Sequence, residues 1–105
     1  MNLCVLSGEL ARDPVVKGND KKLVLFTVVT KTNGEDTGQK ERTAHVPCVV
    51  FNPSLELEQR LTSAGKGTHV ELEGRISTSS FEANGERRYV TEVVAFNRSL
   101  VLSQG

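Results

Sequence analysis

The 105-residue chain has no tryptophan, and its aromatic side chains are four phenylalanines and one tyrosine. It also lacks an excess of charge of either sign: thirteen basic residues cancel thirteen acidic ones. Neutrality excludes a whole-molecule attraction for a polyanion. A nucleic-acid role therefore requires the basic residues to be segregated onto one surface. No apolar run approaches the roughly 18 residues a membrane span needs. The opening "MNLCVLSGEL" has neither the basic start nor the long apolar region of a signal peptide, so a cytoplasmic protein is expected. Two cysteines, Cys4 and Cys48, are too few for a disulfide framework. Both lie in apolar, strand-like runs, which favours reduced core thiols.

Catalytic constellations are missing as well. His45 and Cys48 stand three apart in a strand-like run, so they face opposite sides and do not pair as base and nucleophile. Two Cys and two His have no C-x-x-C or H-x-x-x-H spacing to suggest zinc. "GEDTG" lacks the Lys-Ser/Thr of a phosphate loop. No enzymatic activity, cofactor or metal is expected.

What is present is a series of short apolar runs separated by Gly, Asn and Asp clusters, the pattern of a small all-β barrel or sandwich. Strands are predicted near 2–10, 22–31, 41–51, 68–80 and 87–101. "NPSLELEQRLTSAGKG" breaks the pattern. Asn52 is a candidate N-cap and Pro53 suits the first helical position; Leu57, Leu61 and Ala64 share a face, and Gly65 is a candidate stop. Five strands with one short helix between the third and fourth is the order of an OB-fold barrel. That fold binds oligonucleotides on one barrel face and through its strand 1–2 and 4–5 loops.

Parity sorts the faces of each strand. Cys4, Leu6, Leu10, Val24, Phe26, Val28, Val46, Cys48, Val50, Val70, Leu72 and Ile76 fall on the core side. His45, Val49, Phe51 and Phe81 fall on the outer side, and Pro47 implies an edge or a bulge in its strand. Leu3 and Val5 are also outward, so the first strand is apolar on both sides; a second subunit is the natural cover. The stretch "GRISTSSFEANGERRYVTEVV" reads as the strand 4–5 hairpin, with Phe81 alone among small polar residues. Phe81 is a candidate base-stacking platform, against the blander reading of a packing residue. Arg87 and Arg88 are adjacent, so only one of them shares a face with it. Lys17, Lys31, Lys40, Arg42 and Arg75 are candidate phosphate contacts, whereas Lys21 and Lys22 read as a solvated turn.

Several stretches resemble a known family in order across residues 2–96: "LSGELARDPVVK", "KERTAHVPCVVFN", "GKGTHVELEGRIST" and "GERRYVTEVV". They are similar to the bacterial single-stranded DNA-binding proteins. The resemblance implies binding of single-stranded DNA without strong sequence preference, in replication, recombination or repair. It places Phe51 and Phe81 on stacking positions, His45 where a tryptophan is usual, Lys17 on a basic position and Val46 near a subunit contact. With the two-sided first strand, a homo-oligomer is expected, a tetramer favoured over a dimer, Leu3 and Val5 at the interface by their outward apolar side chains and Val46 by the resemblance. The loop around Asn33 has no aromatic where the family holds one, so weaker binding is implied. The family's flexible acidic tail, which recruits replication and repair proteins, has no counterpart in "SLVLSQG", and a single domain over 1–105 is expected. The short, dimeric primosomal replication protein N, from the same superfamily, is the second reading. A barrel used only for protein contacts is the third.

Overall fold

Alternating apolar and polar residues build strands, and the computed structural model, which describes residues 1–32 and 42–103, contains seven of them. They are β1 (Cys4–Leu10), β2 (Val15–Lys17), β3 (Leu23–Thr32), β4 (Arg42–Phe51), β5 (His69–Ala83), β6 (Glu86–Ala95) and β7 (Val101–Ser103), with helix α1 (Leu55–Ser63) between β4 and β5. The order β1-β3-β4-β6-β5 closes into a ring because β5 pairs back onto β1. Every pairing is antiparallel except β4 with β6. This is the expected all-β OB-fold, with its helix in the expected place. The two three-residue strands are additions: β2 pairs with β3, and β7 with β5. β7 exists because the expected fifth strand, 87–101, stops at Ala95. A 3-10 turn at Asn97–Ser99 then sends the chain back to β5.

The inward residues fill the ring. Leu10, Val24, Phe26, Val28, Cys48, Val50, Val70, Leu72, Val93 and Ala95 form the core, and Cys4, Leu6 and Val46 pack against it partly buried. Ile76 departs from the parity reading: it is 50% exposed. The reason is a change of partner within β5. Its first half lies against β1 (Cys4↔Gly74 to Glu9↔His69) and its second half leaves the barrel with β6 (Gly74↔Ala95 to Ala83↔Glu86). Ile76 lies past that division, where Asn2 brackets its backbone: Asn2 Nδ2 donates to Ile76 O at 2.8 Å, and Ile76 N donates to Asn2 Oδ1 at 2.9 Å.

Gly74 makes the division possible. A Cβ there would overlap the Val94 carbonyl oxygen and meet Val93 Cγ1 at 3.0 Å. The missing side chain lets β6 approach β5 closely at the point where β5 changes partner from β1. The far end of the hairpin closes through Asn84 (φ 54°) and Gly85 (φ 80°). Two positive φ angles at the centre of a two-residue loop define a type I′ turn, which Asn-Gly favours.

The helix start differs from the sequence reading. Ser54, not Asn52, is the N-cap: its Oγ accepts from Leu57 N at 3.1 Å. Asn52 instead takes a left-handed turn (φ 49°) as the chain leaves β4. At the other end the helix stops where expected, with Ala64 as an extended C-cap directly before Gly65, and a left-handed turn follows at Gly67 (φ 91°). Leu57, Leu61 and Ala64 are buried as expected and join the core. Asp13 Oδ1 accepts from Lys66 N at 3.1 Å, so the β1–β2 connection holds the segment after the helix. Lys22 is more than a solvated turn residue, because its Nζ lies 3.2 Å from Glu58 Oε1 of α1.

Pro47 introduces no bulge, since the β3–β4 register runs one-to-one through Thr27↔Pro47. Thr27 turns its carbonyl to Ala11 N at 2.9 Å, away from β4, so this pair exchanges no hydrogen bonds. The proline nitrogen therefore faces the β6 side, where pairing begins only at Cys48. The edge half of the expectation holds. Burial pushes the Cys48 thiol from 9.0 up to about 12, with smaller contributions from Cys4 and Glu92.

Two outcomes follow from this packing. Gly74→Ala is expected to cost about 1–3 kcal/mol through overpacking, read as a lower thermal midpoint; an unchanged midpoint contradicts the close approach. Native protein treated with iodoacetamide at mild alkaline pH should label the half-buried Cys4 well before Cys48, with both labelled in denaturant. The same thiol fixes a sign. The unfolded state ionises Cys48 near 9.0 and the folded state near 12, so its stabilising contribution is full below the first value and disappears as pH rises toward the second.

Candidate nucleic-acid interface

Register alone determines which side chains share the exterior of β2, β3, β4, β6 and the outer half of β5. Directly paired residues point the same way, and alternate residues along a strand repeat it. One row across the sheet is Lys17, Leu23 and Phe51. The next is Val15, Leu25, Val49, Val94 and Arg75. Farther along, Val29 pairs with His45 and Val90 with Ser79, then Lys31 with Thr43 and Arg88 with Phe81. The exterior thus brings Lys17, Lys31, His45, Phe51, Arg75, Phe81 and Arg88 onto one face.

The rings on this face are accessible. Phe51 is 47% exposed and Phe81 51%, and His45 is exposed beside Val29. Beneath them Val49 and Val94 are buried although they point outward, giving the face an apolar floor. An open groove of about 430 Å³ runs along it, with Val15, Leu25 and Pro47 between Lys17 and Glu92. His45 and Cys48 do face opposite ways, one to solvent and the other into the core.

Two of the candidate cations point elsewhere. Arg87 pairs with Glu82 and Arg42 with Thr32, on the reverse sides of their hairpins. Arg88 is therefore the guanidinium that accompanies Phe81. On the reverse side Thr78 and Thr91 are joined through their Oγ1 atoms at 3.0 Å, tying the hairpin arms together. Lys40 and the loop around Asn33 lie outside the described residues. Val46 faces inward and packs against its own core, whereas Leu3 and Val5 are 55% and 69% exposed.

The charges separate by face, which resolves the neutral composition. Lys17, Lys31, Arg75 and Arg88 share the aromatic exterior with the acidic Glu92 and, at the hairpin tip, Glu86. Among the described residues, no carboxylate oxygen lies within 4.0 Å of the Lys17, Arg75 or Arg88 nitrogens. The exterior of the first half of β5 and of β7 carries Glu71 and Glu73, with His69 beside Glu71 at 3.8 Å, while Glu9 of β1 stands at the border of the two faces, paired with both His69 and Val29. A polyanion meets the first face with a local excess of positive charge and the second with repulsion.

Sequence parity missed one aromatic on the first face. Phe96 follows β6, and the even positions Arg88, Val90, Glu92 and Val94 already point outward, so extending that alternation by one step would have found it. It is 43% exposed and lines a cleft together with Phe51.

Known proteins agree with this architecture. Single-stranded DNA-binding protein 3 of Clostridium acetobutylicum is 38% identical over 99 residues, covering 90% of this chain and 67% of the relative. The single-stranded DNA-binding protein of Clostridium tetani is 37% identical over 99 residues, covering 90% and 66%. That of Lactiplantibacillus plantarum is 36% identical over 107 residues, covering 99% and 52%. The chain thus spans about half to two thirds of the length of these curated relatives. Among solved structures, a Plasmodium falciparum SSB in complex with ssDNA superposes with a TM-score of 0.78 at 20% identity, covering 98% of this chain and 93% of that one, a likeness of fold. The model of the single-strand binding protein family matches residues 1–101, and the chain belongs to that family.

Proposed function

We propose that this chain binds single-stranded DNA without strong sequence preference along the exterior of β3, β4, β6 and the outer half of β5. The observation that carries the reading is the placement of Phe51, His45 and Phe81 on one face with Lys17, Lys31, Arg75 and Arg88. Every base has a flat face that stacks on a ring, so such a surface tolerates sequence, while the cations track the backbone. A duplex hides its base faces and gains only the phosphate contacts. The role is to hold strands exposed in replication, recombination or repair, in the cytoplasm with the nucleoid, and involves binding alone.

Fluorescence polarisation with labelled oligo-dT and with a hairpin duplex tests this. The strand should bind far more tightly; equal affinities would sink the proposal. Phe81→Ala should weaken strand binding by about 1–3 kcal/mol. It should leave the melting temperature almost unchanged, because the ring stands outside the core. A lower melting temperature with intact binding would make Phe81 a packing residue instead. Arg88→Ala should reduce the slope of log affinity against log salt by about 0.7, the change expected when a protein neutralises one phosphate fewer on a single strand. Arg87→Ala, on the reverse side, should leave that slope as it was.

The active form proposed is a homo-oligomer, a tetramer in preference to a dimer, joined through β1. Leu3, just before β1, and Val5, outward on a strand whose other face is already in the core, are both exposed, and Val101 adds a third exposed apolar side chain on β7, across β5 from β1. Light scattering should return a multiple of the chain mass, reduced by Leu3→Lys or Val5→Lys. A wild-type mass of one chain rules this out.

A further inference from the structure

Phe96 continues the outward set of β6, and the parallel register of Val49 with Val94 sets it beside Phe51 two residues on. Phe51, Val94, Ala95, Phe96, Asn97 and Arg98 line one open cleft of about 390 Å³, within the size range of small-ligand sites. Its position is fixed from both sides. Asn97 Nδ2 donates to Phe51 O at 3.2 Å, tying the 3-10 turn to the end of β4. Phe96 N donates to Glu73 O at 2.9 Å, and Ser99 Oγ accepts from Glu73 N at 2.9 Å, tying the same turn to β5. The cleft therefore sits on held backbone, with two rings open to solvent at 47% and 43% and an exposed guanidinium, Arg98, at its rim.

We infer that this cleft is a second stacking subsite for one nucleotide of a bound strand, with the base against Phe96 and Phe51 and its phosphate at Arg98. The inference rests on the proposed DNA-binding reading and extends that face past Phe51, away from the Phe81 hairpin. Three features favour a nucleotide over another occupant. Two rings present faces of the kind a base stacks on. The one ionised side chain lining the cleft is cationic, which suits a phosphate. The cleft also shares Phe51 with the cation-bearing exterior and lies in line with Lys17 through Leu23.

The chain has no tryptophan, so Phe96→Trp places one reporter at the site. Oligo-dT should quench its emission to saturation at the same concentration at which polarisation shows the strand bound. Phe96→Leu keeps apolar bulk but removes the ring; it should weaken strand binding about fivefold or more, the low end of one stacked base, with an unchanged melting temperature and unchanged mass by light scattering. If Phe96→Leu fails to fold, the emission of Phe96→Trp alone decides. Wild-type protein that does not bind the strand defeats both the general reading and this one. A binding wild type overturns the subsite alone if the strand leaves the emission of Phe96→Trp unquenched, or if Phe96→Leu stays within twofold of wild-type affinity. A lower oligomeric mass for Phe96→Leu also overturns it, by assigning the cleft to a second copy of the chain.

Discussion

The division of β5 at Gly74 is the constraint on which the remaining architecture depends. β5 closes the barrel with its first half and projects from it with its second, and Gly74 stands where its partner changes from β1 to β6. Gly74 pairs with Cys4 on one side and Ala95 on the other, and the missing side chain leaves room for the Val94 carbonyl. The first half of β5 then seals Val70 and Leu72 into the core, and the second half is free to leave with β6. Without that division Phe81 and Arg88 would have no projecting arm to stand on.

The same arrangement separates the charges. Once β5 changes partners, its acidic outward residues, Glu71 and Glu73, remain against β1 and β7, while Arg75 and the arm beyond it join the β3–β4–β6 exterior. A chain of zero net charge thereby presents a cationic, aromatic face and an acidic one. The apolar floor of Val49 and Val94 matters here too. It puts apolar side chains beneath the exposed rings. The aromatic shortage is thus met by placement: few rings, but nearly all the phenylalanines face one way, Phe26 in the core being the exception.

Much of this was legible in the sequence because the side-chain period of a strand is two. Once a strand was placed, parity gave the right side for Phe26, Cys48, Val50, Phe51 and Phe81. What parity could not give was the length over which an inward residue still has a core to face; hence Ile76, inward by alternation and yet exposed. Local competition decided the helix start. Asn52 and Ser54 are both good caps, and Asn52 makes the left-handed turn out of β4, leaving the cap to Ser54. The choice between Arg87 and Arg88 required the register of the hairpin, which only the Asn84–Gly85 turn fixes. Phe96 was legible by the same alternation, since it shares the parity of Arg88, Val90, Glu92 and Val94 and stands one residue past β6.

The central claim is that one face, and not the other, meets single-stranded DNA. Backbone amide chemical-shift mapping during titration with oligo-dT tests it most directly. The account predicts that the perturbed amides cluster at Lys17, Lys31, His45, Phe51, Arg75, Phe81 and Arg88, leaving Glu71, Glu73 and Val101 unmoved. Perturbations centred on the β1, β5 and β7 exterior, or none at saturating strand, would contradict it.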